Sequence, residues 1–478
     1  IDGLMGHSGF DHLETVKKYD LLEEREVEMT KIVAKDPLSI GGRSGGNIRD
    51  IIPKAWEAGI RYHDNYIYDR QLLVGMPYKI VNGELVEDEY SIPQEVMSKI
   101  QKLFEGEAPE FKEYVDHWVE LVQCTIPSIR RIAVDIEVYS SVATRVPDPK
   151  EAKDPIIAVS MVDSDGRKKV LLLRREGIEE GNRDIPKNVT IEYCEEEENI
   201  IEEVFKVLLE YPVVLTFNGD DFDLRYLYHR AENLGVPREK IPILLGSDFA
   251  LLKYGIHIDL YKFFFNKSIQ NYAFSQSYAE LTLDSVAKAI LGVGKIELNT
   301  PFSDLTYSEL AEYSLRDSEI TLQLTSFDDE LVMKLIQILM RVTKTSMEDL
   351  TRQGVSSWIR DLMYFEHRRL NYLIPRPEDI LESKGKAASE AIIKGKKFKG
   401  AIVVQPKPGV HFDVAVLDFA SLYPSIIKVY NLSYETVLCH HKSCQVNKIP
   451  DLPHWVCKKR RGLSSLIIGS LRDVRVKW

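Results

Sequence analysis

Three short acidic patterns in the middle of the chain could together hold divalent cations, and a fourth acid of similar promise lies further on. Asp135 and Glu137 stand two apart in Arg131-Ile-Ala-Val-Asp-Ile-Glu-Val138, so on a strand their carboxylates project from one face. Flanked by Ile132, Ala133, Val134 and Val138, that strand reads as buried, where adjacent acids repel unless a cation sits between them. The competing reading is a sheet margin where both acids reach water. Asp223 closes Asn218-Gly-Asp-Asp-Phe-Asp223, directly after an apolar run at 213–217. In Tyr313-Ser-Leu-Arg-Asp317 the four-residue spacing puts a hydroxyl and a carboxylate on one helical face, a pattern that is common by itself. Asp418 ends the apolar run 414–417, and the chain then turns through Ser421-Leu-Tyr-Pro424. An acid at a strand end followed by backbone amides suits a divalent metal carrying a phosphate chain.

These residues need elements to hold them. β-Branched content predicts strands at 131–138, 156–162, 169–173 and 188–193, with a turn at Asp163-Ser-Asp-Gly166. A helix is expected over 196–209, with glutamates in its first turn where the helix dipole favours them. A short buried strand at 213–217 and helices at 222–234, 283–291 and 307–324 follow. Strands first and then strand–helix alternation indicate a mixed α/β domain of about 200 residues, and strand-to-loop junctions of such sheets are where sites collect. Residues 1–125 carry helical signals near 92–104 and 112–123. Their Gly41-Gly-Arg-Ser-Gly-Gly46 reads as a loop, since no Gly-Lys-Ser/Thr follows it. Residues 325–385 read as helical, 414–417 as a strand opening a second sheet, and 464–477 as a helix.

Taken in order, the three acidic patterns resemble the Exo I (Asp-Ile-Glu), Exo II (Asn-x-x-x-Phe-Asp) and Exo III (Tyr-x-x-x-Asp) motifs of DnaQ-like 3′→5′ exonucleases. The resemblance implies that Asp135, Glu137, Asp223 and Asp317 hold two divalent metals, magnesium with manganese able to substitute. It also implies that Tyr313 orients the attacking water, and that Asn218 and Phe222 bind the substrate strand. Arg225 stands where the family pattern usually has proline, which bears on loop shape more than on chemistry. Residues 414–427 resemble motif A of archaeal-type family B DNA polymerases. There Asp418 would be the first palm metal ligand, with the Phe419 carbonyl beside it. Ser421, Leu422 and Tyr423 would line the incoming triphosphate, the Tyr423 ring acting as a steric gate. Phe398-Lys-Gly-Ala401 falls where the family has Tyr-x-Gly-Gly/Ala, keeping the ring and losing the hydroxyl. Asp163-Ser-Asp165 mimics the Asp-Thr-Asp of motif C but precedes motif A, and reads as a hairpin turn. Motifs B and C do not occur after Ile427.

With 62 basic and 74 acidic residues the net charge is −12, which argues against a coat-like nucleic-acid binder but not against an enzyme with a local basic channel. The basic clusters at Lys394–Lys399 and Lys458–Arg461 read, taken alone, as solvated surface. No apolar run approaches the roughly 18 residues of a membrane span. No basic leader precedes an apolar segment, so a cytoplasmic location is expected. Five cysteines do not make a disulfide scaffold. Cys439-His-His-x-x-Cys444 and His454-x-x-Cys457 could supply zinc ligands. Their spacing is irregular, however, and falls where thermophilic members of the family place a palm disulfide. A Cys439–Cys457 disulfide or free thiols therefore ranks above zinc.

The expected architecture is α/β and α+β multidomain, a ribonuclease H-like exonuclease domain followed by a partial polymerase palm. Its parts would be an N-terminal domain (1–125), the exonuclease (126–325), a helical connector (326–395) and the partial palm with motif A (396–478). Ile1 in place of Met suggests a processed or truncated start. The expected function is a family B DNA-directed DNA polymerase with its proofreading site complete and its polymerase site half built, so that polymerisation is not expected from this chain alone. Primer–template and single-stranded DNA, deoxynucleoside triphosphates and a C-terminal polymerase portion are the expected partners. The alternatives are one chain of a split polymerase, or a non-catalytic polymerase-like subunit.

Overall fold

The computed structural model describes the chain except residues 1, 43–44, 53, 89, 91, 141–145, 299, 385–391, 394–395, 398–403 and 451. The described residues form two compact units, Thr125–Trp358 and the combination of Ile1–Cys124 with Ile359–Trp478.

The first of these is built on one mixed six-stranded sheet. Its strands in chain order are β1 (Arg131–Val138), β2 (Ile156–Asp163), β3 (Lys168–Leu173), β4 (Val189–Cys194), β5 (Val213–Thr216) and β6 (Ile256–Asp259), and across the sheet they run β6-β5-β1-β2-β3-β4. β1 pairs antiparallel with β2 and parallel with β5. Alternation along β1 then sorts its side chains. Ile132, Val134, Ile136 and Val138 pack in one core with helices α1 (Glu197–Glu210) and α2 (Asp223–Asn233). The opposite face, which carries Asp135 and Glu137, receives helix α4, the Tyr307–Thr343 segment. Leu310, Ala311 and Leu315 of that helix pack on Ile157, Val162 and Val170.

Local chemistry fixes these elements. Glu197 of α1 accepts from the Ile156 N–H at 2.7 Å and pairs with Arg230 of α2 at 2.5 Å, tying both helices to the sheet. Thr306 and Glu309 form a reciprocal capping box that starts α4. That helix is broken at Phe327–Glu330, where Asp328, Asp329 and Glu330 all take left-handed backbone angles. The buried Arg131 guanidinium is anchored beside the break, on Glu330 at 2.7 Å and on Thr325. Asp163-Ser-Asp165 is the β2–β3 hairpin turn, as read: Asp163 accepts from the Asp165 and Arg167 N–H groups, and Gly166 takes φ of 91°.

The second unit opens with a hairpin that the sequence reading did not anticipate, Phe10–Asp20 against Arg25–Ala34. Its helix Pro109–Gln123 packs on Leu463–Lys477, where the buried Trp118 indole donates to Ser470 Oγ at 2.7 Å. Lys428 from the helix Leu422–Val429 reaches both Glu107 and Asp473. The expected strand at 414–417 is not formed. Among the described residues nothing pairs with it, and Val416 and Leu417 are 87% and 94% exposed. An isolated extended segment satisfies its backbone only with water, so β-branched content without a partner strand makes no sheet. Phe398–Ala401 and the Lys394 and Lys399 positions lie outside the described residues.

Candidate metal centre

Asp135 and Glu137 lie on β1 beyond its pairing with β5, which covers only Arg131–Ala133. The chain leaves β5 there and loops through Asn218–Phe222, so the acids meet the loop at the carboxyl ends of two parallel strands. The loop is tightly determined. Gly219 donates to Thr216 Oγ1 at 3.1 Å, and a Cβ at Gly219 would lie 2.2 Å from that oxygen. Asn218 adopts φ of 78°, a left-handed angle asparagine tolerates, and its N–H donates to Asp259 at 2.7 Å. Asp220 is buried and receives the Arg352 guanidinium through two 2.8 Å bonds, with His257 at 3.5 Å. Burial alone would raise Asp220. Hydrogen bonds from His257 and Arg352 hold it far below the usual carboxylate range instead. Arg225, the departure from proline, fastens the same loop by donating to the carbonyls of Asp220, Gly246 and Ser247.

Helix α4 supplies the remaining groups. Ser160, the cross-strand partner of Asp135, donates to the Ser314 carbonyl at 2.7 Å, and Ser318 donates back to the Ser160 carbonyl at 3.1 Å. These bonds seat the turn between Tyr313 and Asp317 directly over β2. The result is that the ligand atoms of Asp135, Glu137 and Asp317 all lie within 4.8 Å of one another. Asp223 adjoins the three at the start of α2, where its carboxylate accepts the Ile136 N–H at 3.2 Å.

The electrostatics are those of a site short of positive charge. Asp135 is raised well above the usual carboxylate range by burial and by the charges of Glu137, Asp317 and Asp223. Glu137 is raised by burial and by Asp317. Asp317 is raised by burial, and burial pushes Asp223 up to about 7. Lys295 partly relieves them, its ammonium lying 2.5 Å from Asp317 Oδ2 and over the Tyr313 ring. Burial would lower that lysine, yet Asp317 and Tyr313 hold it above the usual range. Asp317 Oδ1 remains buried without a hydrogen-bond partner. Adjacent carboxylates that raise one another, with an unpartnered buried oxygen among them, fit divalent-cation ligands. The Tyr313 hydroxyl is pushed up to about 12 by burial and the charge of Asp317, so it keeps its proton at neutral pH, and its ring packs edge-on against Phe302.

Lys295 is the residue that sequence reading missed. It sits in a loop with no periodicity, after the helix α3 (Leu283–Leu291) that Gly292 ends with φ of 71°. Its N–H donates to Asp284, and the neighbouring Gly294 carbonyl accepts from Arg316. A lysine just past a helix-stop glycine was the one available signal.

The second set of predicted site residues is not brought together. Asp418 is exposed, accepts from the Phe419 N–H at 2.9 Å, and joins no cluster of three metal-capable donors among the described residues. Phe419 and Tyr423 are also exposed, and Ser421 takes a left-handed angle of 54° at the start of the helix Leu422–Val429.

A family profile described as DNA polymerase family B, exonuclease domain, matches residues 54–276, and a second described as DNA polymerase family B matches residues 346–464. The chain is 46% identical over 472 residues to "DNA polymerase 1" of Sulfurisphaera ohwakuensis, covering 98% of this chain and 53% of that protein. This chain belongs to the family B DNA polymerases. "DNA polymerase 1" of Aeropyrum pernix is 43% identical, covering 98% of this chain and 49% of its own length. The chain thus spans about half the length of the archaeal family B relatives it matches. The solved structure of the family B DNA polymerase from Pyrobaculum calidifontis shares the fold with a TM-score of 0.65 at 20% identity, over 99% of this chain and 56% of that one. With the family comes the fold class: a ribonuclease H-like exonuclease domain and part of a palm. The exonuclease profile covers Asp135, Glu137 and Asp223, while Tyr313, Asp317 and Lys295 lie outside both profiles. No helix among the described residues is long and apolar enough to cross a membrane.

Proposed function

We propose that this chain is the proofreading portion of an archaeal DNA-directed DNA polymerase, a metal-dependent 3′→5′ exonuclease acting on the primer end of DNA. The observation that carries this reading is the convergence of Asp135, Glu137 and Asp317 within 4.8 Å, with Asp223 alongside. Magnesium, two ions per site with manganese able to substitute, would activate a water and steady the leaving 3′ oxygen when bound. The chain's own residues do the rest. The four carboxylates supply anionic oxygens, and Lys295 holds one oxygen of Asp317 while leaving the other free. The protonated Tyr313 hydroxyl orients the attacking water. Asn218 and Phe222, half-buried on the loop after β5, receive the substrate strand.

The domain assignment that goes with this reading is an N-terminal domain over 1–125, the exonuclease over 126–325, a helical connector over 326–395 and a partial palm over 396–478. In the palm, Asp418 and the Phe419 carbonyl would ligate the first metal, and Ser421, Leu422 and Tyr423 would line a deoxynucleoside triphosphate. Polymerisation needs a second palm carboxylate and a fingers lysine, whose motif patterns do not occur after Ile427, so it is proposed only for a palm completed by such motifs. The exposure of Val416 and Leu417 favours such a completed palm, since strand partners would bury both. Such a role on DNA would put the protein in the cytoplasm.

Incubation of the purified chain with a 3′-mismatched primer–template and magnesium tests the reading. Stepwise release of deoxynucleoside monophosphates, abolished by Asp135→Ala, is expected. No release, or release that Asp135→Ala leaves unchanged, overturns it.

A further inference from the structure

The exonuclease and palm readings leave a buried group of chemistry-bearing side chains unused. Cys439, His441, Cys444 and Cys457 converge so that the three Sγ atoms and one imidazole nitrogen all lie within 4.8 Å of one another. All three cysteines are buried, packed with Trp455, and none is disulfide-bonded. The ranking of disulfide or free thiols above zinc rested on irregular spacing and on where family members place a palm disulfide; the fold brings four donors together despite that spacing. The backbone folds back at the bridge Val437↔Val456, which sets Cys439 beside Cys457, and a short 3₁₀ turn, Lys442–Cys444, brings Cys444 under both. The fourth donor is His441; the sequence reading had grouped His454 with Cys457.

We propose that these four residues bind one structural zinc ion. Cys457 Sγ lies 3.5 Å from His441 Nδ1. Tetrahedral zinc with Zn–S near 2.3 Å and Zn–N near 2.0 Å requires an S···N edge of about 3.5 Å. The surroundings are those thiolates need. The Lys458 N–H donates to Cys444 Sγ at 3.3 Å and the Lys459 N–H to Cys457 Sγ at 3.4 Å. Three thiolates around a divalent ion leave a net negative charge, and the Lys458-Lys-Arg-Arg461 run stands next to it. His441 presents its other nitrogen, Nε2, to Glu24 at 3.1 Å. A carboxylate there fixes the imidazole tautomer so that Nδ1 faces the thiols, the usual outer partner of a zinc-bound histidine. A single disulfide would leave the third thiol and this oriented imidazole without a role.

The site also ties distant parts of the chain together. Glu24 belongs to the turn of the N-terminal hairpin, whose Leu21 carbonyl accepts from Arg460 at 2.7 Å and whose Leu22 carbonyl lies 3.0 Å from His440 Nε2. Zinc would therefore lock the 438–461 segment onto that hairpin.

The test is elemental analysis of the purified full chain after exhaustive dialysis, paired with thiol titration in denaturant with a chelator. One zinc per chain and five titratable thiols are expected, from the five cysteines of the sequence. Cobalt substitution should give a thiolate-to-metal charge-transfer band and intense tetrahedral d–d bands. Cys444→Ser should lose the metal while Cys194→Ser keeps it. Should Cys444→Ser not fold, Glu24→Gln leaves every ligand in place and should weaken zinc affinity about tenfold in competition with a chromophoric chelator. No bound zinc with only three titratable thiols would establish a disulfide and overturn the proposal. Iron with acid-labile sulfide, or zinc retained in full by Cys444→Ser, would overturn it equally.

Discussion

Two carboxylates follow apolar, β-branched runs in this chain, Asp135 on β1 and Asp418 after 414–417, and the structure treats them in opposite ways. Asp135 lies on a strand paired with β2 at its own position and with β5 just before it, under a helix stitched down by Ser160 and Ser318. Asp418 lies on an extended segment with no partner among the described residues, its apolar neighbours open to water. The residue types are alike; what differs is whether other elements close around them. A metal site needs several anionic oxygens held against their own repulsion, and around Asp135 the closed sheet-and-helix frame supplies that force.

The largest test of this contrast is the removal of each acid in turn. Asp135→Ala should lower 3′-excision by about 10³–10⁴-fold, several kcal/mol of barrier at a metal-dependent centre. Asp418→Ala should leave excision at the wild-type rate in the same quenched-flow assay. Equal losses in the two variants would show that one site serves both acids, and the contrast would fail.

Next in size is the frame itself. Arg352→Met would leave Asp220 buried without its guanidinium and should cost about 3 kcal/mol or more in urea unfolding. The same pair sets an acid limit. Asp220 is depressed in the folded state, so its contribution is present above the unfolded value near 4 and is lost as pH falls below it. Stability of the wild-type chain should therefore fall more steeply than that of Arg352→Met as pH drops from about 5 to about 3. Parallel pH profiles would remove the pair from any part in fixing the Asn218–Asp223 loop.

How much of this was legible in the sequence follows from the same physics. The clustered acids could be read because each sits in a short local pattern, and periodicity placed each pattern on a strand, a loop or a helix. The strands and helices of 131–234 were foreseen because burial on both sheet faces writes long apolar runs. The 414–417 strand was misread because β-branched content reports that a segment can pair, not that a partner is present. Lys295 was missed because its partner, Asp317, is remote in sequence and lies on another element. The hairpin at 10–34 hid in a polar sequence with hardly any buried positions along either strand. Arg352 was invisible for a further reason: a lone arginine at the end of a short helix carries no sign of the buried Asp220 that it serves.

A smaller effect separates the two acids by binding alone. Magnesium at about 100 times its dissociation constant should stabilise the chain by roughly 2.7 kcal/mol through mass action on the folded state. Asp135→Ala should abolish that gain and Asp418→Ala should keep it, as read from thermal melts with and without chelator. A gain that survives Asp135→Ala would move the principal cation site elsewhere.

The smallest expected effect is the most discriminating for the palm. In the absence of metal, removing an acid from the crowded cluster relieves repulsion that burial enforces, so Glu137→Gln should stabilise the chelated protein. Asp418 has only its neighbour's N–H to lose, and lies in water. Its replacement by alanine should change unfolding free energy by no more than about 0.5 kcal/mol, the range of exposed substitutions without special contacts. A larger change would mean that residues 414–418 are already paired in solution. The apolar run would then have its sheet, and the difference between the two acids would be one of chemistry rather than of closure.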